Sequence, residues 1–183
     1  KTPAILEYEY DPITAVVTSA TASESATVGH DAFGFNTFRT RTQDIYQMIR
    51  GQARVDKSHT WTLTTGVDGS RAATVGRSEL EALDPAISLA DLITKTPAIL
   101  EYEYDPITAV VTSATASESA TVGHDAFGFN TFRTRTQDIY QMIRGQARVD
   151  KSHTWTFTTG VDGSRAATVG RSELEALDPA ISL

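Results

Sequence analysis

Cysteine is absent from this chain, which excludes a disulfide-stapled scaffold, a thiolate metal site and a cysteine nucleophile. Basic residues are scarce as well: 16 Lys and Arg stand against 23 Asp and Glu, for a formal net charge of −7. The tightest basic cluster is Arg39-Thr-Arg41. Nucleic acid and anionic membranes both require a concentrated cationic surface that displaces counterions, so neither partner is expected. No apolar run approaches the roughly 18–20 residues that cross a bilayer, so this segment is not expected to insert into a membrane.

Catalytic signals are equally thin. The 4 histidines form no HxH or HExxH spacing. His30-Asp31, beside a predicted strand end, is the one arrangement from which a base and its orienting carboxylate would be built, or a metal site shared with His59 and Asp56. Such isolated residues read instead as surface or loop histidines. Asp56, Asp68 and Asp84 fall at predicted strand ends and turns, where oxygen ligands often hold calcium. Asp68-Gly69-Ser70 is a lone turn, however, without the alternating carboxylates of a calcium loop, and Asx-turn chemistry accounts for it. The glycines of Gly66-Val-Asp-Gly69 and Gly29–Gly34 lack the Lys-Ser/Thr or strand-to-helix setting of a phosphate cradle. The expectation is no catalytic residue, no metal and no cofactor.

What the chain does contain is itself, twice. The text from Lys1 to Leu89 recurs from Lys95 to Leu183, an offset of 94, with one difference, Leu63 against Phe157. The copies are residues 1–94 and 95–183, and the second lacks the last five residues of the repeat, as a window cut from a longer polypeptide would. Both copies are mildly acidic, each with 8 basic residues against 12 and 11 acidic ones. Ala90-Asp-Leu-Ile-Thr94 joins them without a Gly, Ser or Pro run, so the copies are expected to abut. A fainter echo lies inside each copy. Ala-Thr-Val-Gly at 26–29 returns at 73–76, together with Asp44/Asp91, Thr18/Thr65 and Ser23/Ser70 at the same spacing. This places a candidate half-repeat boundary near 47/48 and 141/142.

The local pattern is mostly strand. Ile5–Tyr10 and Ile13–Thr18 flank Asp11-Pro12 and read as a hairpin, followed by a polar loop over Ser19–Ser25. Ala26–Gly29 and Phe33–Phe38 are further strands, and Ala53–Asp56, Thr60–Thr65 and Arg71–Val75 complete the set, with a turn at Gly66–Gly69. Ile45, Met48 and Ile49 share one face at helical spacing, and Gly51 suits a C-cap, so Thr42–Arg50 is expected to be a short helix. Leu80, Leu83 and Ile87 do the same over Glu79–Thr94, with Asp84-Pro85 as a fresh helix start. The fold expected is therefore α+β and β-rich: antiparallel sheets with short helices in two near-identical 94-residue repeats, each divisible into two βββα-like halves.

Aromatic residues are the candidate binding group. Tyr8 and Tyr10 share one strand face, Trp61 leads a threonine-rich strand, and Tyr102, Tyr104 and Trp155 are their counterparts. Such a set either lines a groove for a protein or glycan ligand or forms the inward face of half-buried strands. The Leu63/Phe157 difference falls on the Trp61 face and points to an adaptable position there.

Near-identity of copies is the strongest functional sign. An enzyme gains little from two copies of a domain, whereas a chain built for reach or multivalency gains with each. The chain resembles the high-identity tandem-repeat stalks and fibres of bacterial cell-surface adhesins, through the repeat itself, the lack of cysteine, the threonine-rich strands and the Ser/Thr/Ala stretch of Thr18–Ala26. The resemblance implies a structural, multivalent module at an extracellular or cell-surface location, whose partners are further copies or neighbouring repeats, and it assigns no site residues. Many such stalk modules are wholly β, from which the two helical readings depart. The alternative is a natural or engineered single-chain dimer of a 94-residue binding or self-assembly domain. A small enzyme with a site between the copies, using His30 or His59, is the third reading.

Overall fold

The computed structural model describes residues 4–168. Each copy lays down six strands in the same order. The first contains β1 (Leu6–Tyr10), β2 (Val17–Ala22), β3 (Ser25–His30), β4 (Asn36–Ile49), β5 (Gln52–Gly66) and β6 (Arg71–Gly76). The second contains β7 (Ala98–Tyr104), β8 (Val111–Ala116), β9 (Ser119–His124), β10 (Asn130–Ile143), β11 (Gln146–Gly160) and β12 (Arg165–Thr168). Every pairing among the described residues is antiparallel, and all these strands belong to one sheet.

The long hairpins β4–β5 and β10–β11 are the spines of this sheet. Each spine strand is long enough to meet two short strands along one edge. Thr37–Thr42 of β4 pairs with β3, while Ile45 reaches β2. On the other side Thr62–Thr65 of β5 pairs with β6, and Lys57–Thr60 pairs with β7 of the next copy. The sheet thus has two tiers of short strands stitched together by long ones.

The expected helix at Thr42–Arg50 is not there: these residues lie at the end of β4 and in its turn. Arg50 and Gly51 both have positive φ, 53° and 74°, and join Ile49 to Gln52 as a two-residue hairpin loop whose twist matches that of its strands. Gly51 was legible as a C-cap because a hairpin of this kind asks for the same left-handed glycine. A bulge opposite Ile45 and Tyr46 places its extra residue, Asp56, in β5, so β4 itself runs on uninterrupted through the stretch of helical spacing.

The second expected helical stretch also fails to form a long helix. Arg77–Glu79 is a single 3₁₀ turn and α1 (Leu89–Leu92) a single α turn. Asp84 does cap, accepting from the Ala86 amide at 2.8 Å, but the chain continues as turns past Pro85. The fold is β-rich and antiparallel with helix nearly absent, so the α+β expectation and the βββα halves with their helices are corrected. Ser19–Ser25 is not a loop but runs from β2 into β3, Ala53–Asp56 and Thr60–Thr65 merge into β5, and Phe33–Phe35 belongs to the turn before β4. Positions 47/48 and 141/142 fall inside β4 and β10.

The core is a thin layer between one sheet face and the irregular segment from Arg77 to α1. Leu80, Leu83, Ile87 and Leu92 are buried there against Trp61, Leu63, Ala73, Val75, Ala120 and Val122. Burying a leucine fully contributes about 1.5–3 kcal/mol, so this segment stabilises the sheet although it is barely helical. Leu80, Leu83 and Ile87 are buried together, but the helix expected to present them does not form.

Candidate functional site

The residues that bury Leu80 and Leu83 come from both copies, and the seam between the copies is the best-built feature of the molecule. It starts from the tetrad that sequence reading found twice. β6 carries Ala73-Thr-Val-Gly76 and β9 carries Ala120-Thr-Val-Gly123, and the two pair antiparallel: Ala73 opposite Val122, Thr74 opposite Thr121, Val75 opposite Ala120. An antiparallel pair of like segments has a local twofold axis, here between Thr74 and Thr121, whose hydroxyls meet at 2.9 Å. Alternation sends Ala73, Val75, Ala120 and Val122 to the other face, where each is 0% exposed. The echo at half the repeat length is thus two strands that meet across the seam.

The opposite face is glycine under phenylalanine. A Cβ on Gly123 would lie 2.4 Å from the Phe132 ring and 2.2 Å from the Arg71 carbonyl oxygen of the neighbouring copy. At Gly29, its counterpart, the nearest atoms are all of the Phe38 ring. Glycine at these strand positions admits the ring, and at Gly123 also the close approach of the next strand.

Polar contacts cross the same seam. The Arg133 guanidinium donates to the Leu80 carbonyl, and also to that of Leu83 at 3.4 Å. Glu118 accepts from Arg135 in its own copy and faces Arg77 of the first copy at 3.8 Å. The Arg135 pair holds the Glu118 carboxyl below its ordinary value. The Gly76 amide donates to the Thr96 carbonyl at 2.8 Å, and the Glu79 carboxylate accepts from the Thr96 amide, which lowers its pKa in turn. Lower down, Lys57 donates to Glu101 at 2.6 Å between β5 and β7, a bond that raises the Lys57 pKa.

The predicted aromatic residues divide between the tiers and form no common pocket. Trp61 is buried, donates its indole N–H to the Lys95 carbonyl at 2.7 Å and meets the His59 ring edge-on, so it anchors the start of the second copy. Trp155 is half-buried, with the Arg135 guanidinium 4.7 Å from its ring centre. Tyr8 and Tyr10 are exposed neighbours with ring centres 6.5 Å apart. Tyr102 and Tyr104 are half-buried. The Tyr104 hydroxyl donates to the Val55 carbonyl across the seam at 2.7 Å, and burial raises both phenols. His30 has its Nδ1 2.8 Å from the Asp31 carbonyl. Among the described residues no group of three or more metal-ligating side chains comes together, and no helix is long and apolar enough to cross a membrane. Asp31 is occupied within its own turn, accepting from the Phe33, Phe35 and Asn36 amides and from the Asn36 side chain.

Set beside protein-family models, curated proteins and solved structures, the chain matches none.

Sequence reading missed Arg77, Glu118, Arg133 and Arg135, the charged residues of the seam. One signal did point there, since the recurring tetrad names both apolar strands that pair.

Proposed function

We propose that the chain is a structural, multivalent tandem-repeat module of an extracellular stalk, fibre or adhesin, with no catalysis of its own, in which each added copy lengthens one continuous sheet. The observation that carries this reading is the seam: a copy contributes β5, β6 and the Arg77–Leu92 segment, its successor contributes β7, β9 and Arg133, and their apolar residues are buried only together. A head-to-tail contact of this kind uses different surfaces on its two sides, so each added copy leaves one of each surface free for the next. The exposed Tyr8–Tyr10 pair is where a protein or glycan ligand would stack. Small-angle scattering on chains of one, two and three copies tests the proposal. The maximum dimension is expected to grow about linearly with copy number, and a three-copy chain no longer than two copies would overturn it.

The local twofold at Thr74 and Thr121 favours a second reading, a single-chain dimer of a 94-residue binding or self-assembly domain. That reading requires a compact two-copy particle and an isolated copy that dimerises or unfolds.

A further inference from the structure

The surface that β9 and β10 present to the first copy exists once more, uncovered, on β3 and β4. Ala120 and Val122 are 0% exposed beneath Leu80 and Leu83, whereas their counterparts are open, Val28 at 68%. In place of the covering segment there is an open groove of about 600 Å³, lined by Ala26, Val28, Arg39 and Arg41 on the sheet and by Ala90 and Ile93 on the side of α1. Arg39 is the counterpart of Arg133, whose guanidinium binds the Leu80 and Leu83 carbonyls. The Glu24–Arg41 ion pair repeats Glu118–Arg135. At the other end of the sheet, Lys151–Thr154 of β11 is exposed, while the same residues of β5, Lys57–Thr60, are paired with β7.

We infer that these two surfaces are the separated halves of one interface, and that the first-copy edge of one molecule docks on the second-copy edge of another in the register seen at the seam. The inference rests on the tandem-repeat reading and extends it from copies within a chain to contacts between chains. Carrying the register across places Thr168 opposite Thr27 of a second molecule, Ala167 opposite its Val28 and Arg165 opposite its His30, as Thr74, Ala73 and Arg71 stand to Thr121, Val122 and His124. In the lower tier Lys151 meets Glu7 as Lys57 meets Glu101. Leu174 and Leu177 lie outside the described residues, but they are the sequence counterparts of Leu80 and Leu83, the occupants of the equivalent groove. Within one chain the tether raises the effective concentration of the two surfaces, so the contact between chains is the weaker and depends on concentration.

The tetrad is self-complementary, so two β3 edges offer an isologous alternative that the test must separate. Because the chain contains no cysteine, single thiols report without background. Two variants of the chain, Thr27→Cys and Thr168→Cys, are oxidised each alone and as a mixture, and the products are identified by their disulfide-linked peptides after proteolysis, because the two variants have the same mass. The expected result is a mixed dimer at a yield at least several-fold above either variant alone, lowered by Lys151→Glu in the Thr168→Cys chain and restored by Glu7→Lys in its partner. Equal cross-linking of Thr27→Cys with itself would overturn the inference in favour of an isologous edge, and so would no cross-linking at the highest soluble concentration. A third variant, Thr74→Cys/Thr121→Cys, reports on the seam within the chain. If its internal disulfide forms while the mixed dimer does not, the inference between chains fails and the repeat reading stands. If the internal disulfide is also absent, the repeat reading fails with it.

Discussion

Val28 and Val122 have the same neighbours in sequence and opposite surroundings in space. The first is mostly exposed and the second is fully buried, as are Ala26 and Ala120, and a weaker contrast runs through Tyr10 against Tyr104 and Ile5 against Ile99, where the second-copy residue is half-buried. It reverses at the other end of the repeat, where Trp61 is buried and Trp155 only partly so. Each copy is complete at the edge that meets its neighbour and incomplete at the other. Burial here is therefore a property of the pair of copies, as in other repeat architectures whose units bury a core only against the next unit.

The contrast gives pairs of identical substitutions with unequal outcomes. The largest difference is expected from Val122→Asp against Val28→Asp. A carboxylate forced among Leu80, Val75 and Ala73 costs at least about 3 kcal/mol, while the same change at the exposed position stays within about 0.5 kcal/mol. Urea unfolding of the two variants measures this, and equal losses would break the comparison. Next comes tryptophan: Trp61→Ala removes a buried ring and its bond to the Lys95 carbonyl, for about 3–5 kcal/mol, against about 1–2 kcal/mol for Trp155→Ala. Calorimetry on both variants tests the order.

Glycine gives a smaller and sharper pair. Gly123→Ala drives a methyl into the Arg71 backbone across the seam and is expected to cost about 1–3 kcal/mol, whereas Gly29→Ala meets first the Phe38 ring, which can swing, for under about 1 kcal/mol. Thermal unfolding of the two variants measures the difference, and an equal loss at both positions would mean that the Arg71 backbone moves as freely as the ring.

Acid acting on the aspartate turns, which both copies share, should have the smallest effect. The Asp11 and Asp105 carboxylates are held below their ordinary value by the Thr14 and Thr108 amides, Asp31 and Asp125 by the side chains of Asn36 and Asn130, and Asp68 and Asp162 by Ser70 and Ser164. A carboxyl group with a lowered folded value contributes stability that is complete above its unfolded value and lost as pH falls through the folded one. Thermal midpoints are therefore expected to be flat from pH 7 to about pH 5 and to fall below about pH 4. Asp11→Asn and Asp105→Asn should each remove part of that slope, Asp105→Asn the more because Arg50 of the first copy also acts on Asp105 and donates to the Ile107 carbonyl, and equal losses would show that this contact across the seam contributes nothing.

Leu63 and Phe157 are the one place where the copies differ in sequence as well as in setting. Leu63 lies 5% exposed under the Arg77–Leu92 segment, and Phe157 is half-buried beside Arg133, Thr131 and Thr159. Leu63 is covered, so the expectation of a partly exposed position is corrected for the first copy.

Much of the fold was legible because alternation and turn chemistry are local. The Ile5–Tyr10 hairpin partner was offset by a few residues, since Asp11 accepts from the Ile13 and Thr14 amides and lengthens the turn to Val16. Ile45, Met48 and Ile49 misled because three apolar residues over so short a stretch fit helical spacing without forming a helix. Trp61 was singled out for its chemistry, yet nothing local to it names Lys95 as the partner of its indole N–H.

By itself the order of residues determined that the chain is one segment written twice, that it is strand-forming, and that Ala-Thr-Val-Gly recurs at half the period. These are properties of periodicity and of side-chain shape, which act over a few residues. Only the tertiary structure decided that Thr42–Ile49 is strand, that the two tetrads pair with each other, and that identical residues are core in one copy and surface in the other. Burial depends on which strand lies alongside, and identical text cannot carry that information.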